Sequence, residues 1–395
     1  MRHRFSPVVI LLAASLFVSA AGPIHSTGSN ATDPTGLIVH EWGTFTSVAG
    51  QDGFAEEWVP PQGPRDLPCF VDRLPSNIKG WMPATVRMET PVVYFYSPEE
   101  KTVDVRVRFR RGLITEWYPR ASVTPGSIQA LALKNPALEG TIAWNQVKVM
   151  PRAADEYAVD SGANHYYAAR KTDASPLQVG TEREKFLFYR GIGNFALPLG
   201  AMMAADGRVL VNAAPGVSLS DVMLFESRNG SAGYRTARSA GAQIAIDRPT
   251  LDARQAGVRA ALERMLVAHG LYAKEAAAMV ETWRDSWFED GLRLFYIVPR
   301  SSIDEVLPLE VTPAPASTAR VFVGRIEIIT PAIVAEVKDG ILRSDRAPIA
   351  KYGRFLRPIL ARIRSSSTAA EAVTIDRNIS FAYAAASPLP GACPR

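Results

Sequence analysis

The stretch Leu37 to Trp58, LIVHEWGTFTSVAGQDGFAEEW, brings His40, Glu41, Asp52, Glu56 and Glu57 together with Trp42 and Trp58. Imidazoles and carboxylates at this density suit metal ligation or general acid–base work. His40-Glu41 opens like the zinc-protease helix signature, but Thr44 stands where the second histidine is required. The run is also strand-like, so adjacent His40 and Glu41 should point to opposite faces. A metal held by His40 would therefore need ligands from afar, with His165 the first candidate and Glu89 or Asp52 behind it. Histidine is scarce, at five in the whole chain. His25 falls in a linker, and His269 at a predicted helix end, where its positive form suits the dipole.

Paired carboxylates offer a second chemistry. Cleavage of a glycosidic bond needs an acid and a base or nucleophile roughly 5 to 9.5 Å apart. Of Glu41, Glu89, Glu116, Asp285 and Glu289, Glu116 is assigned to Arg106 across a predicted hairpin, which leaves Glu41 and Glu89 as the pair without a structural explanation. Trp42, Trp58 and Trp81 are the aromatic faces available to a flat ligand such as a sugar ring. Serine chemistry finds no Gly-x-Ser-x-Gly elbow, and Ser76-Asn77-Ile78-Lys79 lacks the companion motifs that would give it meaning. Neither a Walker-type loop nor a dinucleotide fingerprint is present, and no motif names a cofactor.

The elements that must position these groups are mostly strands. Val103, Val105, Val107 and Phe109 alternate with Asp104, Arg106, Arg108 and Arg110, the period of a half-buried strand. A three-residue loop at Arg110 to Gly112 would fold this strand onto Leu113 to Tyr118 and set Arg106 opposite Glu116. Further strands are expected at Thr141 to Met150, Lys185 to Arg190, Arg208 to Asn212 and Asp221 to Ser227. Helical spacing begins near Leu251, followed by a second helix carrying Trp283 and Trp287. Strands return at Leu292 to Val298 and Ala319 to Ile329, apolar on each face and so central. A last helix from Pro348 to Ile363 should kink at Pro358. The tail after Ser365 reads as loose, with a strand at Ile379 to Tyr383. The fold class is α+β: an antiparallel, sandwich-like N-terminal part over residues 37–245, then a mixed helix and strand part over 246–365.

Arg2 and Arg4, the apolar run Val8 to Val18 and the small residues through Ala21 have the layout of a secretory signal peptide, with a linker over residues 22–36. In an oxidising compartment Cys69 and Cys393, the two cysteines of the chain, suggest a disulfide, with a Cys69 nucleophile partnered by His165 as the alternative. A formal net charge of +5 spread over 395 residues does not argue for nucleic acid binding, and no nucleic acid partner is expected. The arginines at 106, 108, 110 and 111, and Lys351, Arg354, Arg357, Arg362 and Arg364 on the last helix, read as solvated basic faces. No later run is long and apolar enough to span a bilayer.

The words HEWGTFTSVAG, ETPVVYFYS, GLITEWYP and DGLRLFYIVPR resemble exported bacterial proteins of uncharacterised activity. The resemblance covers most of the chain beyond the signal peptide and implies export and a shared fold, but carries no cofactor or catalytic residue with it. The resulting expectation is a soluble protein of the periplasm or the extracellular space. It would bind a small ligand or a polysaccharide through residues 37–81. A hydrolase built on Glu41 and Glu89 or on a His40–His165 metal is the alternative, and a structural interaction module the third.

Overall fold

The computed structural model describes residues 36–60, 67–74, 82–126, 132–160, 164–239, 241–252 and 254–387. The expected signal peptide, nearly all of the linker, Trp81 and Cys393 lie outside them. The long strands of the large sheet are β1 (Ile38–Ala49), β2 (Val86–Tyr96), β3 (Gly112–Tyr118), β4 (Leu187–Gly193), β5 (Leu219–Arg228), β6 (Ser231–Ser239), β7 (Gly291–Ile297) and β8 (Ser317–Ile328). They run in the order β6-β5-β7-β8-β1-β2-β4-β3, and the short strands Ala55–Glu56 and Asp72–Arg73 pair with β1 and β3. All neighbours are antiparallel except β8 and β1, which pair in parallel at the centre with Thr46 beside Arg325. Strands from both sides of residue 245 thus share one sheet. The α+β class holds.

Alternation decides which side chains meet. On one face Val39 and Phe45 of β1, Val93 and Phe95 of β2, and Leu292 and Leu294 of β7 join a core with Val103, Val105, Val107 and Phe109. Those last four lie on the strand Lys101–Arg110 of a second sheet, paired with Glu139–Val149 and Leu309–Thr312. A small third sheet (Leu199–Met203, Val209–Ala213 and Gln243–Ile246) adds Val209 and Val211 to the same core. Two sheets packed through alternating residues are the expected sandwich.

The opposite face carries helices. Around Trp42, Tyr94, Phe188 and Phe295 pack α1 (Gln255–Ala268), α2 (Ala273–Thr282) and α3 (Arg284–Trp287). A short helix, α4 (Arg300–Val306), leads into Leu309–Thr312. Around Val48 and Trp58 pack α5 (Pro331–Arg343), α6 (Arg346–Lys351), α7 (Leu356–Ser365), α8 (Ala369–Arg377) and α9 (Ile379–Ala386). Two separate apolar clusters therefore share one face of one sheet.

Several local expectations are corrected. Lys101–Arg110 and β3 belong to different sheets, so the expected hairpin does not form. The chain changes sheet at Arg111, whose φ of 56° turns it sharply. Arg106 therefore does not meet Glu116: it stands opposite Glu310, while Glu116 is buried between Arg73 and Arg190 on adjoining strands. The expected helix with a kink at Pro358 is two helices, α6 and α7, joined through Gly353–Phe355, and Pro358 sits in the first turn of α7, where no helical partner for its missing N–H is needed. The tail forms α8 and α9 rather than a strand, α8 starting on a capping box between Thr368 and Glu371.

Candidate functional site

Between the two apolar clusters the helix-facing side of the sheet is charged. The strands explain why. In β2, Val86 and Met88 face the sandwich core, as do Val93 and Phe95, so the face switches from even to odd positions between them. The switch is a bulge: Trp42 pairs with Val92 but Thr44 with Glu89. At the bulge sits Thr90 with φ of 46°, a conformation that a β-branched residue adopts only at a cost of about 1–3 kcal/mol. The partners of β2 shift as well, β4 against β2 between Phe188 and Gly191, and β4 against β3 between Arg190 and Gly191. Gly191 permits this, since a Cβ there would lie 2.3 Å from the Leu113 carbonyl oxygen. Register irregularities in adjoining strands at one level mark a place where side chains are re-aimed.

The re-aimed residues form a band across the sheet. From β3 to β7 it holds Glu116, Arg190, Arg87 with Glu89, Thr44 with Thr46, Arg325 with Glu327, and Arg293, all buried. Thr46 Oγ1 donates to Glu89 Oε2 at 2.6 Å, and Arg354 in the Gly353–Phe355 turn before α7 donates to the other carboxylate oxygen. Arg190 Nη2 donates to Thr90 Oγ1 at 3.1 Å, and its guanidinium lies over the Trp283 ring. Arg325 Nη2 donates to Glu289 at 2.7 Å and to Glu327 at 3.0 Å. Arg293 binds Glu327 at 2.9 Å and also donates to the Trp287, Glu289 and Asp290 carbonyls. It thereby fixes the loop that presents Glu289. Gly291, at φ 140°, makes room, because a Cβ there would approach Arg293 Nη2 and Glu327 Oε1 to 2.6 Å.

The electrostatics of the band lean positive. Five arginines (87, 190, 293, 325 and 354) stand with four glutamates (89, 116, 289 and 327). Burial pulls Arg87 down to about 9, opposed by Glu89 and reinforced by Arg354. Burial acts on Arg325 in the same sense, but Glu327 and Glu289 outweigh it and hold the guanidinium above its ordinary value. Glu327 answers in kind: burial would raise it, and Arg293 with Arg325 keep it below the ordinary carboxylate range. Several buried donors are still unused. Arg325 Nε and Nη1, Thr44 Oγ1, Ser286 Oγ and the indole nitrogens of Trp283 and Trp287 have no hydrogen-bond partner. Buried polar groups in this state cost about 1–3 kcal/mol each unless something else meets them.

The residues expected from the sequence are scattered relative to this band. Glu41 points to the sandwich face, where Tyr189 and Arg320 donate to it. Glu89 lies on the helix face, so the structure does not bring Glu41 and Glu89 together across one bond. His40 Nδ1 is 2.8 Å from Glu275 Oε2, and its ring packs on Tyr272 and Tyr96. His165 contacts Asp285 instead. Each histidine has its own carboxylate, and no group of three or more His, Cys, Asp or Glu among the described residues is arranged to hold a metal.

Trp42 and Trp58 are buried, the first among helix-facing aromatics and the second against Phe355 and under Arg87, so neither offers an open face. Asp52 and Glu57 are exposed, and Asp52 accepts from the Phe54 N–H at 3.1 Å in a turn. Glu56 is 2.9 Å from Arg362, and burial nevertheless raises its carboxyl above the ordinary value. Cys69 is not a free thiol, which removes the nucleophile reading, and its expected partner Cys393 lies outside the described residues. Of the basic helix, Lys351 meets Asp290 at 2.9 Å, Arg354 meets Glu89 and Arg364 meets Asp376 at 2.9 Å, so this face is largely committed to internal pairs.

Sequence reasoning missed Thr44, Arg87, Thr90, Arg190, Arg293, Arg325 and Glu327. The signal was present: charges sit in the middle of apolar strand words, as in TVRMETPVV, FLFYRGIG, GLRLFYIV and VFVGRIEII. No protein-family model and no curated protein matches the chain. No helix among the described residues is long and apolar enough to cross a membrane.

Proposed function

We propose that this chain is an exported binding protein whose small ligand sits on the polar band at the bulged centre of the large sheet. The observation that carries the reading is the coincidence of a strained Thr90, register shifts in adjoining strands and unpartnered buried donors at one place. Strain and unmet polar groups are costs, and they persist where a site requires them. On this reading β1 contributes through Thr44 and Thr46, not through Trp42, Trp58, Asp52, Glu56 or Glu57. A paired-carboxylate hydrolase has less support, because Glu41 and Glu89 lie on opposite faces with separate arginine partners.

Hydrogen–deuterium exchange of the mature chain against a panel of small anions and neutral sugars tests the proposal. Ligand-dependent protection of peptides covering 42–46, 86–92 and 283–290 is the expected outcome. Saturable binding that protects other segments and leaves these unchanged would overturn it.

A further inference from the structure

We infer that the ligand presents an oxyanion, a carboxylate or a phosphate group, to Arg325 and that it competes there with Glu289. The inference rests on the binding reading above and adds the chemical class. The unused atoms decide it. Arg325 Nε and Nη1 and the Trp283 indole nitrogen can only donate, and the Thr44 and Ser286 hydroxyls can. A surplus of buried donors calls for a group rich in acceptors. Guanidinium recognises carboxylate and phosphate with paired hydrogen bonds, which makes these the matching partners. The excess of one arginine over the glutamates in the band acts in the same direction.

Access and competition follow from Glu289. Arg325 is fully buried, yet its partner Glu289 keeps a quarter of its side chain exposed (26%), as does the neighbouring Arg354 (24%). Glu289 is thus a carboxylate of the protein itself, already seated on the Nη2 donor from the solvent side. Glu327 cannot leave, being buried between Arg293 and Arg325. An arriving oxyanion that takes Arg325 releases Glu289 to water, while Glu327 keeps the guanidinium aimed. Arg293 holds the carbonyls of residues 287, 289 and 290, so Glu289 can move by its side chain alone.

The test is isothermal titration of the full mature chain with succinate, with inorganic phosphate and with glucose, at constant ionic strength. Saturable binding of one of the two anions is expected, weakened about tenfold or more by Arg325→Gln. Glu289→Gln should tighten the same anion severalfold, because the competing charge is gone while the shape remains. This second variant changes a partly exposed residue, and near-UV circular dichroism checks that it folds. A purely structural role for the ion network predicts no gain in affinity from it. Succinate alone binding assigns a carboxylate, and phosphate alone a phosphate group. Binding of glucose but neither anion overturns the oxyanion class while leaving the binding site standing if residues 86–92 are protected. An anion that binds equally to both variants overturns the inference, and so does the absence of saturable binding by either anion.

Discussion

At the scale of single residues, the large sheet pairs several of its buried carboxylates with arginines. Glu41 has Arg320, Glu89 has Arg354, and Glu327 has both Arg293 and Arg325. Such pairs add little net stability against apolar substitutes, but breaking one leaves a buried charge exposed to the full penalty of desolvation. Glu327 gives this a pH signature. Its carboxyl is held below the ordinary value of 4.5 because the two arginines outweigh burial. A depressed carboxylate contributes its stability in full above the unfolded value and loses it as pH falls through the folded one. Urea unfolding followed between pH 7 and pH 3 should therefore show stability declining on the acid side. Glu327→Gln should cost about 3 kcal/mol at pH 7 and flatten that decline. Parallel pH profiles for the two proteins would remove Glu327 as the source.

At the scale of elements, the strands were legible and their partners were not. Alternation in Val103 to Phe109 and the apolar runs at Leu292 and Ala319 located real strands. The expected hairpin at Arg110 failed because pairing depends on where a chain turns, and Arg111 sends β3 into another sheet. The tail was misread because Ser and Ala report poorly on helices that owe their stability to an apolar stripe, here Ile375, Ala382 and Ala385 against α5 and α6. The site was hidden for a further reason: a bulge inverts the facing of a strand without altering its composition, so Arg87 and Glu89 could not be assigned a side from spacing alone. The turn into β7 depends on the same accuracy of fit. Gly291→Ala should destabilise the protein by roughly 1–3 kcal/mol, from a left-handed φ and a Cβ pressed on the Arg293–Glu327 pair. Thermal unfolding by circular dichroism measures it, and an unchanged midpoint would show that the loop relaxes freely.

At the scale of the whole molecule, the sheet joins parts of the chain that are far apart in sequence. β1 lies between β8 and β2, and β7 between β5 and β8, so strands from before and after residue 245 complete one another. Both helical clusters cover that same sheet, and the described residues form one compact unit. Unfolding should accordingly be a single transition, with tryptophan fluorescence and far-UV circular dichroism coinciding. A fragment of residues 36–245 should remain unfolded, since Val48, Trp42 and Phe45 would lose the neighbours that bury them. A cooperative transition in that fragment would contradict this.

The parallel pair of β1 and β8 also has a bearing on the order of assembly. A chain made N-terminus first presents β1 early, with one of its two flanking long strands still unmade until Ser317–Ile328 arrives. The central strand must wait in an open state while most of the polypeptide is made. A protein wired in this order cannot complete its large sheet before its last long strand is made. Until then Val39, Trp42 and Phe45, all buried in the finished fold, lack part of their cover.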